Sequence, residues 1–209
     1  MKKGLLVSFE GMDKSGKTTQ IARARDCLEA LGHSVLCVRE PGGTAISEAI
    51  RPIILDRENR AMCAETEMLL YAASRAQLVR EVILPALAAG QVVLCDRYLD
   101  SSLAYQGGGR GLAMADILAV NHIGTGGLIP DRTFFLETET RTRLARMSRH
   151  HSADRIENEA EAFQDRVRNA YKALADREPE RIIRVSGEGS EEAVFGRIRP
   201  YLLEILRKE

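Results

Sequence analysis

The feature that most constrains this chain is a glycine-rich segment near its N-terminus, FEGMDKSGKTT over residues 9–19. Gly11 is followed after four residues by Gly16, Lys17 and Thr18, which is the spacing of a phosphate-binding loop, or P-loop. Glycines let backbone N–H groups turn toward phosphate oxygens, the lysine reaches the outer phosphates, and the hydroxyl can ligate Mg²⁺. We therefore expect the segment to bind a nucleoside triphosphate. The residues assigned to this contact are Gly11, Met12, Asp13, Lys14, Ser15, Gly16, Lys17, Thr18 and Thr19.

The sequence on either side of this segment has the order that a P-loop requires. Residues 5–9 form a short apolar run typical of a buried strand, and residues 18–31 have the pattern of a helix that ends at Gly32. A helix that begins at the loop adds the positive end of its dipole to the phosphate site. The alternative, a glycine-rich turn with a solvated lysine, does not account for this order of elements.

Five short apolar segments predict the strands of one sheet, and helical patterns separate them. The predicted strands are residues 5–9, 34–38, 91–95, 133–136 and 182–185. Such alternation is typical of α/β proteins, so we expect a doubly wound five-stranded parallel sheet with helices on both faces. We expect one domain over residues 1–209. Because Cys37 and Cys95 fall inside predicted strands, we expect both to be reduced core residues.

Polar residues follow two of these strands at their carboxyl ends, where α/β sheets bind ligands. Asp96 comes directly after the apolar residues 92–95. In P-loop proteins, an acidic residue at the end of such a strand helps to hold Mg²⁺. We therefore predict Thr18 and Asp96 as metal ligands. The run REPGGT over residues 39–44 follows another strand and is a second candidate binding loop. An aspartate that merely caps a strand and a plain glycine turn are the alternatives.

A basic helix followed by an irregular segment predicts a mobile lid over about residues 147–158. The arginines of this helix are Arg141, Arg143, Arg146 and Arg149. A phosphoryl-transfer site needs cations over the transferred group, which the lid would supply. A salt-bridged surface helix is the alternative. His150 and His151 follow the helix, but adjacent histidines lack the spacing of metal ligands.

Composition limits the partners of the chain. It has 30 basic and 30 acidic residues and a formal net charge of zero, which argues against a general nucleic-acid or membrane-surface binder. No segment is apolar over the length of a membrane span, and residues 1–10 make a poor signal peptide. We therefore expect a cytoplasmic protein that contacts neither nucleic acid nor membrane.

The expected chemistry depends on the group that accepts the phosphoryl. A hydroxyl acceptor calls for a general base near the site. A phosphate monoester, with a second pKa of about 6, is largely dianionic at neutral pH and is already nucleophilic. No residue of the sequence is obviously placed as a base. The second case requires only cations that align two phosphates and offset their mutual repulsion.

Five motifs, in order along the chain, resemble those of bacterial thymidylate kinases, and the resemblance covers nearly the whole length. The motifs are residues 9–19, residues 39–44, Tyr71 with Arg75, residues 96–107 and DRIE at residues 154–157. The resemblance implies a P-loop NTPase fold with a mobile lid. It also implies Mg²⁺-dependent transfer of the ATP γ-phosphoryl group to dTMP, giving dTDP and ADP. A homodimer formed through helices within residues 53–87 is implied as well.

The same resemblance implies how the acceptor nucleotide is held. Around the base it implies stacking on Tyr71, a contact of Arg75 with a base carbonyl, and Ser102 and Gln106 near the base edge. Tyr105 would lie where a ribose 2′-hydroxyl would clash. These residue types suit such roles, because an aromatic face stacks on a base and polar side chains read its edge.

At the other end of the acceptor, the resemblance implies that Arg51 and Arg97 hold the phosphate. A guanidinium fork matches phosphate oxygens in pairs. Asp13 and Glu40 would lie near the deoxyribose and the metal, with Pro41 in the same loop as Glu40.

One position departs from the family pattern. The resemblance implies that members of the family supply an arginine near the transferred phosphate, either from the P-loop or from the lid. This chain instead has Lys14 at the loop position. Lysine is a point charge and does not replace a bidentate guanidinium. We predict that Arg155, rather than Arg149, makes the main transition-state contact, that Lys14 assists, and that Arg149 contacts ATP. The predicted catalytic residues are Lys17, Arg97, Arg155, Asp13 and Lys14.

Three other functions are compatible with the P-loop. The nearest is a kinase for another nucleoside monophosphate, such as dUMP, dCMP or GMP, or for a deoxynucleoside. A switch that slowly hydrolyses nucleotide is the second, although no guanine-reading Asn-Lys-x-Asp motif occurs. The third is an assembly protein with a relict site. Tyr71 and Tyr105 favour a pyrimidine deoxynucleotide as the acceptor.

Overall fold

The computed structural model describes residues 4–146 and 154–207, and its centre is a five-stranded sheet. Every pair of neighbouring strands is parallel, and the order across the sheet is β2-β3-β1-β4-β5. The strands are β1 Leu5–Glu10, β2 Val35–Arg39, β3 Val92–Asp96, β4 Arg132–Glu137 and β5 Ile182–Ser186. The predicted parallel α/β sheet is therefore confirmed.

Helices cover both faces of the sheet, and they connect the strands in chain order. They are α1 Lys17–Ala30, α2 Ala45–Leu55, α3 Ala64–Leu78, α4 Leu84–Ala88, α5 Leu99–Ser102, α6 Met114–Thr125, α7 Thr140–Ala145, α8 Glu161–Arg177 and α9 Glu191–Arg207. Two segments have π-helical hydrogen bonding, Val79–Ile83 and Leu103–Gly109. The P-loop lies between β1 and α1, as the sequence predicts.

Alternation along the strands divides the core into two apolar layers. Val7 and Phe9 of β1 pack in the layer that contains residues of α1 and α9, whereas Leu6 faces the layer with residues of α3 and α8. Phe134 and Phe135 of β4 divide in the same way. Because successive side chains of a strand point to opposite faces, one apolar run can fill both layers. This burial fixes β1 in the middle of the sheet.

The position of β1 brings the functional loops together. It pairs with β3 on one side, with Val7 opposite Leu94, and with β4 on the other, with Val7 opposite Arg132. The connection from β1 runs to β2 on one side of the sheet, and the connection from β3 runs to β4 on the other, which is the arrangement that opens a crevice at the carboxyl ends of the strands. The P-loop and the segment after β3 meet at this crevice.

Two local expectations differ from the structure. The long helix predicted over residues 65–89 contains the π-helical segment Val79–Ile83 just before Pro85, which has no N–H for the α-helical ladder. Cys95 is buried, but Cys37 is exposed, so its predicted core position is wrong. The reason is that β2 is an edge strand, where only part of the surface is covered. All four cysteines are free thiols.

Among the helices that the structure describes, none is both long and apolar enough to cross a bilayer.

Substitution of Leu28 tests the packing of α1 on the sheet. Leu28 has no exposed surface and lies in the layer with Phe9 and Phe134, so Leu28→Ala should lower the free energy of unfolding by about 2–5 kcal/mol. Leu31, three residues later, is 53% exposed, and Leu31→Ala should change it by less than about 0.5 kcal/mol. Urea denaturation of both variants measures the difference. Equal effects would contradict the layer assignment.

Candidate functional site

The P-loop has the geometry of a phosphate cradle. Gly11 and Gly16 have φ angles of 135° and 101°, which L side chains rarely adopt, and a Cβ on Gly11 would lie 2.6 Å from the Leu136 carbonyl oxygen. The Lys17 ammonium spans the loop, donating to the carbonyl oxygens of Gly11 at 3.2 Å and Met12 at 3.1 Å. The backbone of the loop therefore surrounds and orients its own lysine.

Two residues other than glycine have a left-handed backbone conformation, one in the P-loop and one in the segment after β3. Lys14 has φ 62° and Arg97, directly after β3, has φ 71°. Such values are uncommon outside glycine and cluster at functional sites, where the surroundings hold the residue in place. Here each turn directs a cationic residue to the same crevice.

The predicted metal ligands are neighbours. The Thr18 hydroxyl donates to Asp96 Oδ2 at 3.1 Å, linking the start of α1 to the end of β3. The described residues contain no group of three or more His, Cys, Asp or Glu side chains that could enclose a metal. Mg²⁺ commonly takes only one or two protein ligands, with phosphate oxygens and waters supplying the rest. The pair fits a Mg²⁺ ion that arrives with a nucleotide.

Arg97 connects the P-loop to the segment after β3. Its guanidinium donates to Asp13 Oδ1 at 2.6 Å and to the Gly11 carbonyl oxygen at 2.9 Å. The guanidinium carbon also lies 5.3 Å from the centre of the Tyr105 ring. These contacts orient the fork of Arg97 toward the crevice, where a phosphate could replace one of its partners.

Burial and charge shift the pKa values of the loop residues. Burial, with a smaller contribution from the positive charge of Arg97, lowers the pKa of Lys17 to about 8, and the negative charge of Asp96 opposes the shift. Burial disfavours the ionised form of Asp13, but the charges of Arg97 and Lys17 outweigh it and lower its pKa to about 2. The site therefore keeps Asp13 ionised, and a bound anion would stabilise the charged form of the buried Lys17.

A first cavity collects nearly all of the residues predicted for the acceptor. Those that line it are Asp13, Glu40, Pro41, Arg51, Tyr71, Arg97, Ser102, Tyr105 and Gln106. Four more residues that were not predicted individually also line it, namely Leu55, Ser101, Asp154 and Ile156, and all but Leu55 fall inside motifs of the sequence. Of these, Asp154 and Ile156 belong to the predicted lid, so part of that segment forms a wall of the cavity.

A second cavity lies along the P-loop and shares part of its wall with the first. The residues common to both are Asp13, Glu40, Arg51 and Arg97. On the far side it is lined by Gly187, Gly189 and Ser190, which follow β5 and were not among the predicted site residues. The available signal was two glycines at the carboxyl end of a strand, where ligands bind in such sheets.

Arg75 was predicted for the first cavity but does not line it. It is 1% exposed and donates to Glu40, Ser102, Asn121 and the Tyr98 carbonyl oxygen. All five N–H groups of the guanidinium are thereby used, with Glu40 taking two of them. Arg75 therefore hydrogen-bonds to two residues that line the first cavity, Glu40 and Ser102, without lining the cavity itself. Contact with a base carbonyl stays a prediction and requires one of these bonds to be exchanged.

Glu40 has one oxygen left over. Its Oε2 accepts from Arg75 at 2.7 Å, while Oε1 is buried and has no hydrogen-bond partner among the described residues. Burial raises the pKa of Glu40, and the charge of Arg75 opposes the shift. An unpartnered carboxylate oxygen in the wall common to both cavities suits a sugar hydroxyl or a metal-bound water.

Two arginines of the basic helix contact backbone carbonyl oxygens of the P-loop, and Arg146 also lines the second cavity. Arg143 donates to the Asp13 carbonyl oxygen at 3.0 Å, and Arg146 donates to those of Lys14, Ser15 and Gly187. Neither arginine was predicted as a site residue, although both were recognised in the basic helix. Arg149 lies outside the described residues.

The contacts of Arg155 differ from the phosphate contact that was predicted for it. It donates to Glu67 Oε2 at 2.7 Å and to the Ile54 carbonyl oxygen at 2.8 Å. The reason is that the buried carboxylate of Glu67 offers a nearby counter-charge. Contact with a transferred phosphate stays a prediction, and it requires Arg155 to leave Glu67.

A buried carboxylate supports the crevice from below. Glu10, at the end of β1, accepts hydrogen bonds from the Tyr98 N–H at 2.7 Å, the Ser101 hydroxyl at 2.6 Å and the Tyr171 hydroxyl at 2.9 Å. Burial, together with the nearby Asp100, raises the pKa of Glu10 to about 7. The sequence places Glu10 beside the P-loop but gives no sign of these partners.

Comparison with known proteins identifies the family. The thymidylate kinase family model matches residues 9–198. A thymidylate kinase from Pelobacter propionicus is 45% identical over 207 residues, covering 96% of this chain and 94% of that protein. One from Kosmotoga olearia is 45% identical over 204 residues, covering 98% of each chain.

A solved structure agrees with these sequence relatives. The crystal structure of thymidylate kinase from Ehrlichia chaffeensis superposes with a TM-score of 0.78 at 27% identity, covering 96% of this chain and 99% of that one. Because the family model, the relatives and the structural neighbour all span nearly the full length, the chain belongs to the thymidylate kinase family.

Proposed function

We propose that this protein transfers the γ-phosphoryl group of ATP to dTMP, giving dTDP and ADP. The observation that carries this proposal is the pair of cavities that meet at Asp13, Glu40, Arg51 and Arg97. One cavity contains a P-loop and the other an aromatic and polar wall, so a donor and an acceptor can present their phosphates to the same cations. Membership of the thymidylate kinase family supports dTMP as the acceptor.

The donor binds along the second cavity. The N–H groups of the P-loop and the Lys17 ammonium surround the ATP phosphates, and the N-terminus of α1 adds its dipole. The nucleoside of ATP extends toward the loop after β5, which includes Gly187 and Gly189. Thr18 and Asp96 would hold Mg²⁺, which when bound neutralises charge on the β- and γ-phosphates. Thr19 lies at the same end of the cavity.

The acceptor binds in the first cavity, with its base remote from the P-loop and its phosphate toward it. Tyr71 offers a stacking face, and Ser102 and Gln106 present polar groups to the base edge. Tyr105 lies beside Arg97 and restricts the space next to the sugar. Arg97 and Arg51 are placed to hold the dTMP phosphate, because both line the wall common to the two cavities.

The chemical step needs no general base. A dTMP phosphate oxygen attacks the γ-phosphorus of ATP, the bond from that phosphorus to the β–γ bridging oxygen breaks, and ADP leaves with the electron pair. The dianionic phosphate is already a nucleophile at neutral pH. What the chain contributes is alignment and charge: Lys17, Lys14 and Arg97 offset the repulsion between the two phosphates, and Arg143 and Arg146 fix the loop backbone.

The quaternary state and location are part of the same proposal. We infer a single domain, a cytoplasmic enzyme and a homodimer; of the predicted lid, residues 147–153 lie outside the described residues. The dimer is supported by three large apolar side chains that α2 and α3 expose, Ile46, Ile53 and Leu69. Sedimentation velocity of the purified chain measures the assembly directly, and a monomer at micromolar concentration would remove the dimer from the proposal.

Turnover with a panel of acceptors tests the function. Purified protein with ATP and Mg²⁺ should release ADP rapidly with dTMP, more slowly with dUMP, and little with dCMP, GMP, thymidine or the ribonucleotide of thymine. This order of acceptors is expected because Tyr71, Ser102 and Gln106 would contact the base and Tyr105 would restrict the space next to the sugar. ADP release that does not depend on any acceptor would instead identify a nucleotide hydrolase.

The pH dependence of ATP binding tests the role of Lys17. Because its pKa is about 8 before phosphate binds, Lys17 is charged at pH 7 and largely neutral at pH 9.5. The ATP affinity of the free enzyme should therefore fall as pH rises through 8, and binding near pH 8.5 should take up a proton. Calorimetry in buffers of different ionisation enthalpy measures both quantities. In Lys17→Arg, whose side chain stays charged, the decline should disappear although affinity is lower throughout.

Two arginine variants test the predicted transition-state contact. If Arg155 reaches the transferred phosphate, Arg155→Ala should lower kcat by more than about tenfold, as removal of a catalytic arginine does. Arg110 pairs with the same Glu67 carboxylate at 2.9 Å, so Arg110→Ala removes a matched partner without removing a lid cation. Steady-state kinetics should show a small kcat effect for Arg110→Ala. A loss below tenfold in Arg155→Ala would transfer the role to Arg143 or Arg146.

A further inference from the structure

A buried carboxylate on α3 connects the base end of the first cavity to the lid. Glu67 is 1% exposed and lies one helical turn before Tyr71. It accepts hydrogen bonds from Gln106 Nε2 at 2.9 Å, from Arg110 at 2.9 and 3.1 Å, and from Arg155 at 2.7 Å. Glu67 does not line the cavity itself, but Gln106 does.

The chemistry of Glu67 fixes the orientation of the Gln106 amide. An ionised carboxylate only accepts hydrogen bonds, so the end of the amide that touches it must be the NH₂ group. Burial disfavours ionisation of Glu67, but the hydrogen bonds from Arg110 and Gln106 outweigh it and lower its pKa. A flipped amide would place two oxygens against each other at hydrogen-bond distance. The carbonyl oxygen of Gln106 is therefore the end left for the cavity.

We propose that Glu67 is a positioning residue for acceptor specificity: it presents the Gln106 carbonyl oxygen to pyrimidines that carry N–H at ring position 3. This inference rests on the proposed function, because it concerns the dTMP side of the same site. Thymine and uracil carry a proton on N3, whereas neutral cytosine carries a lone pair there. A fixed acceptor thus pairs with the first two bases and opposes the third.

Discrimination depends on whether the amide can rotate. A free glutamine side chain could turn its NH₂ group toward cytosine at little cost, since its two ends have nearly the same shape. Glu67 prevents this because rotation would break one hydrogen bond to a charged group and leave two acceptors in contact. Arg110 is itself held by Glu159 at 2.6 Å, which keeps the cluster in place. The specificity of Gln106 therefore originates in a residue outside the cavity.

The test compares Glu67→Gln with a matched control. In Glu67→Gln the side chain keeps its size but can donate or accept, so the Gln106 amide becomes free to rotate. The ratio of kcat/KM for dTMP to that for dCMP should fall at least about fivefold, through a higher KM for dTMP and a lower KM for dCMP. The KM for ATP should not change. Glu159→Gln removes the same charge from the same cluster without touching Gln106, and should leave the ratio within about twofold.

A double-variant cycle separates positioning from general loosening of the structure. Gln106→Met removes both polar ends of the amide and should itself reduce the dTMP to dCMP ratio. If Glu67 acts through Gln106, adding Glu67→Gln to Gln106→Met should change the ratio by less than about twofold. Glu67→Asp keeps the carboxylate and should retain more of the ratio than Glu67→Gln. A Glu67→Gln ratio equal to that of the unaltered protein, or full additivity in the cycle, overturns the proposal.

Two further results keep the inference distinct from the proposed function. If the unaltered protein fails to phosphorylate dTMP, the proposed function is wrong; if it prefers dTMP and Glu67→Gln keeps that preference, only this inference is wrong. Should Glu67→Gln fail to fold, a crystal structure of the unaltered protein with dTMP decides. Gln106 must then contact both Glu67 and the ring N3 of the base, and a Gln106 side chain turned away from the base overturns the proposal.

Discussion

The buried Glu10 carboxylate is the interaction on which the crevice depends. It ends the central strand and accepts from the backbone of Tyr98, the hydroxyl of Ser101 and the hydroxyl of Tyr171. The P-loop, the segment after β3 and helix α8 are thereby joined at one point. A buried carboxyl group is costly unless its oxygens are used, and here three donors satisfy them. The position of Arg97, one residue before Tyr98, follows from this connection.

Cations in the crevice are held by groups that substrates can replace. Lys17 donates to P-loop carbonyl oxygens, and Arg97 donates to Asp13 and Gly11. These partners keep the charges oriented in the low-dielectric site, so little reorganisation remains when a phosphate binds. The left-handed backbone at Lys14 and Arg97 is a local cost of the same arrangement. The strained backbone lowers stability at this edge of the sheet, and in return the cations of the site are already oriented.

Much of the fold and of the site could be predicted from the sequence, but contacts between distant segments could not. The five strands and the P-loop follow from local patterns that the structure confirms. The outward position of Cys37 could not be foreseen, because an apolar strand does not state whether it lies at an edge of the sheet. Arg75 and Arg155 carry motif signals, yet the structure places both against buried carboxylates, Glu40 and Glu67. Partner choice among charged residues depends on which helices meet, and that is a property of the packed chain.

The sequence by itself determined that this protein binds a triphosphate, because the P-loop needs only eight consecutive residues between a strand and a helix. It also predicted most of the residues that line the first cavity. Tertiary structure decided that the two cavities share Asp13, Glu40, Arg51 and Arg97, which come from four separate segments. It decided as well that Glu67, which has no motif of its own, holds Gln106 and two arginines. The physical reason is that local patterns are set by neighbours along the chain, whereas hydrogen bonds between buried polar groups are set by neighbours in space.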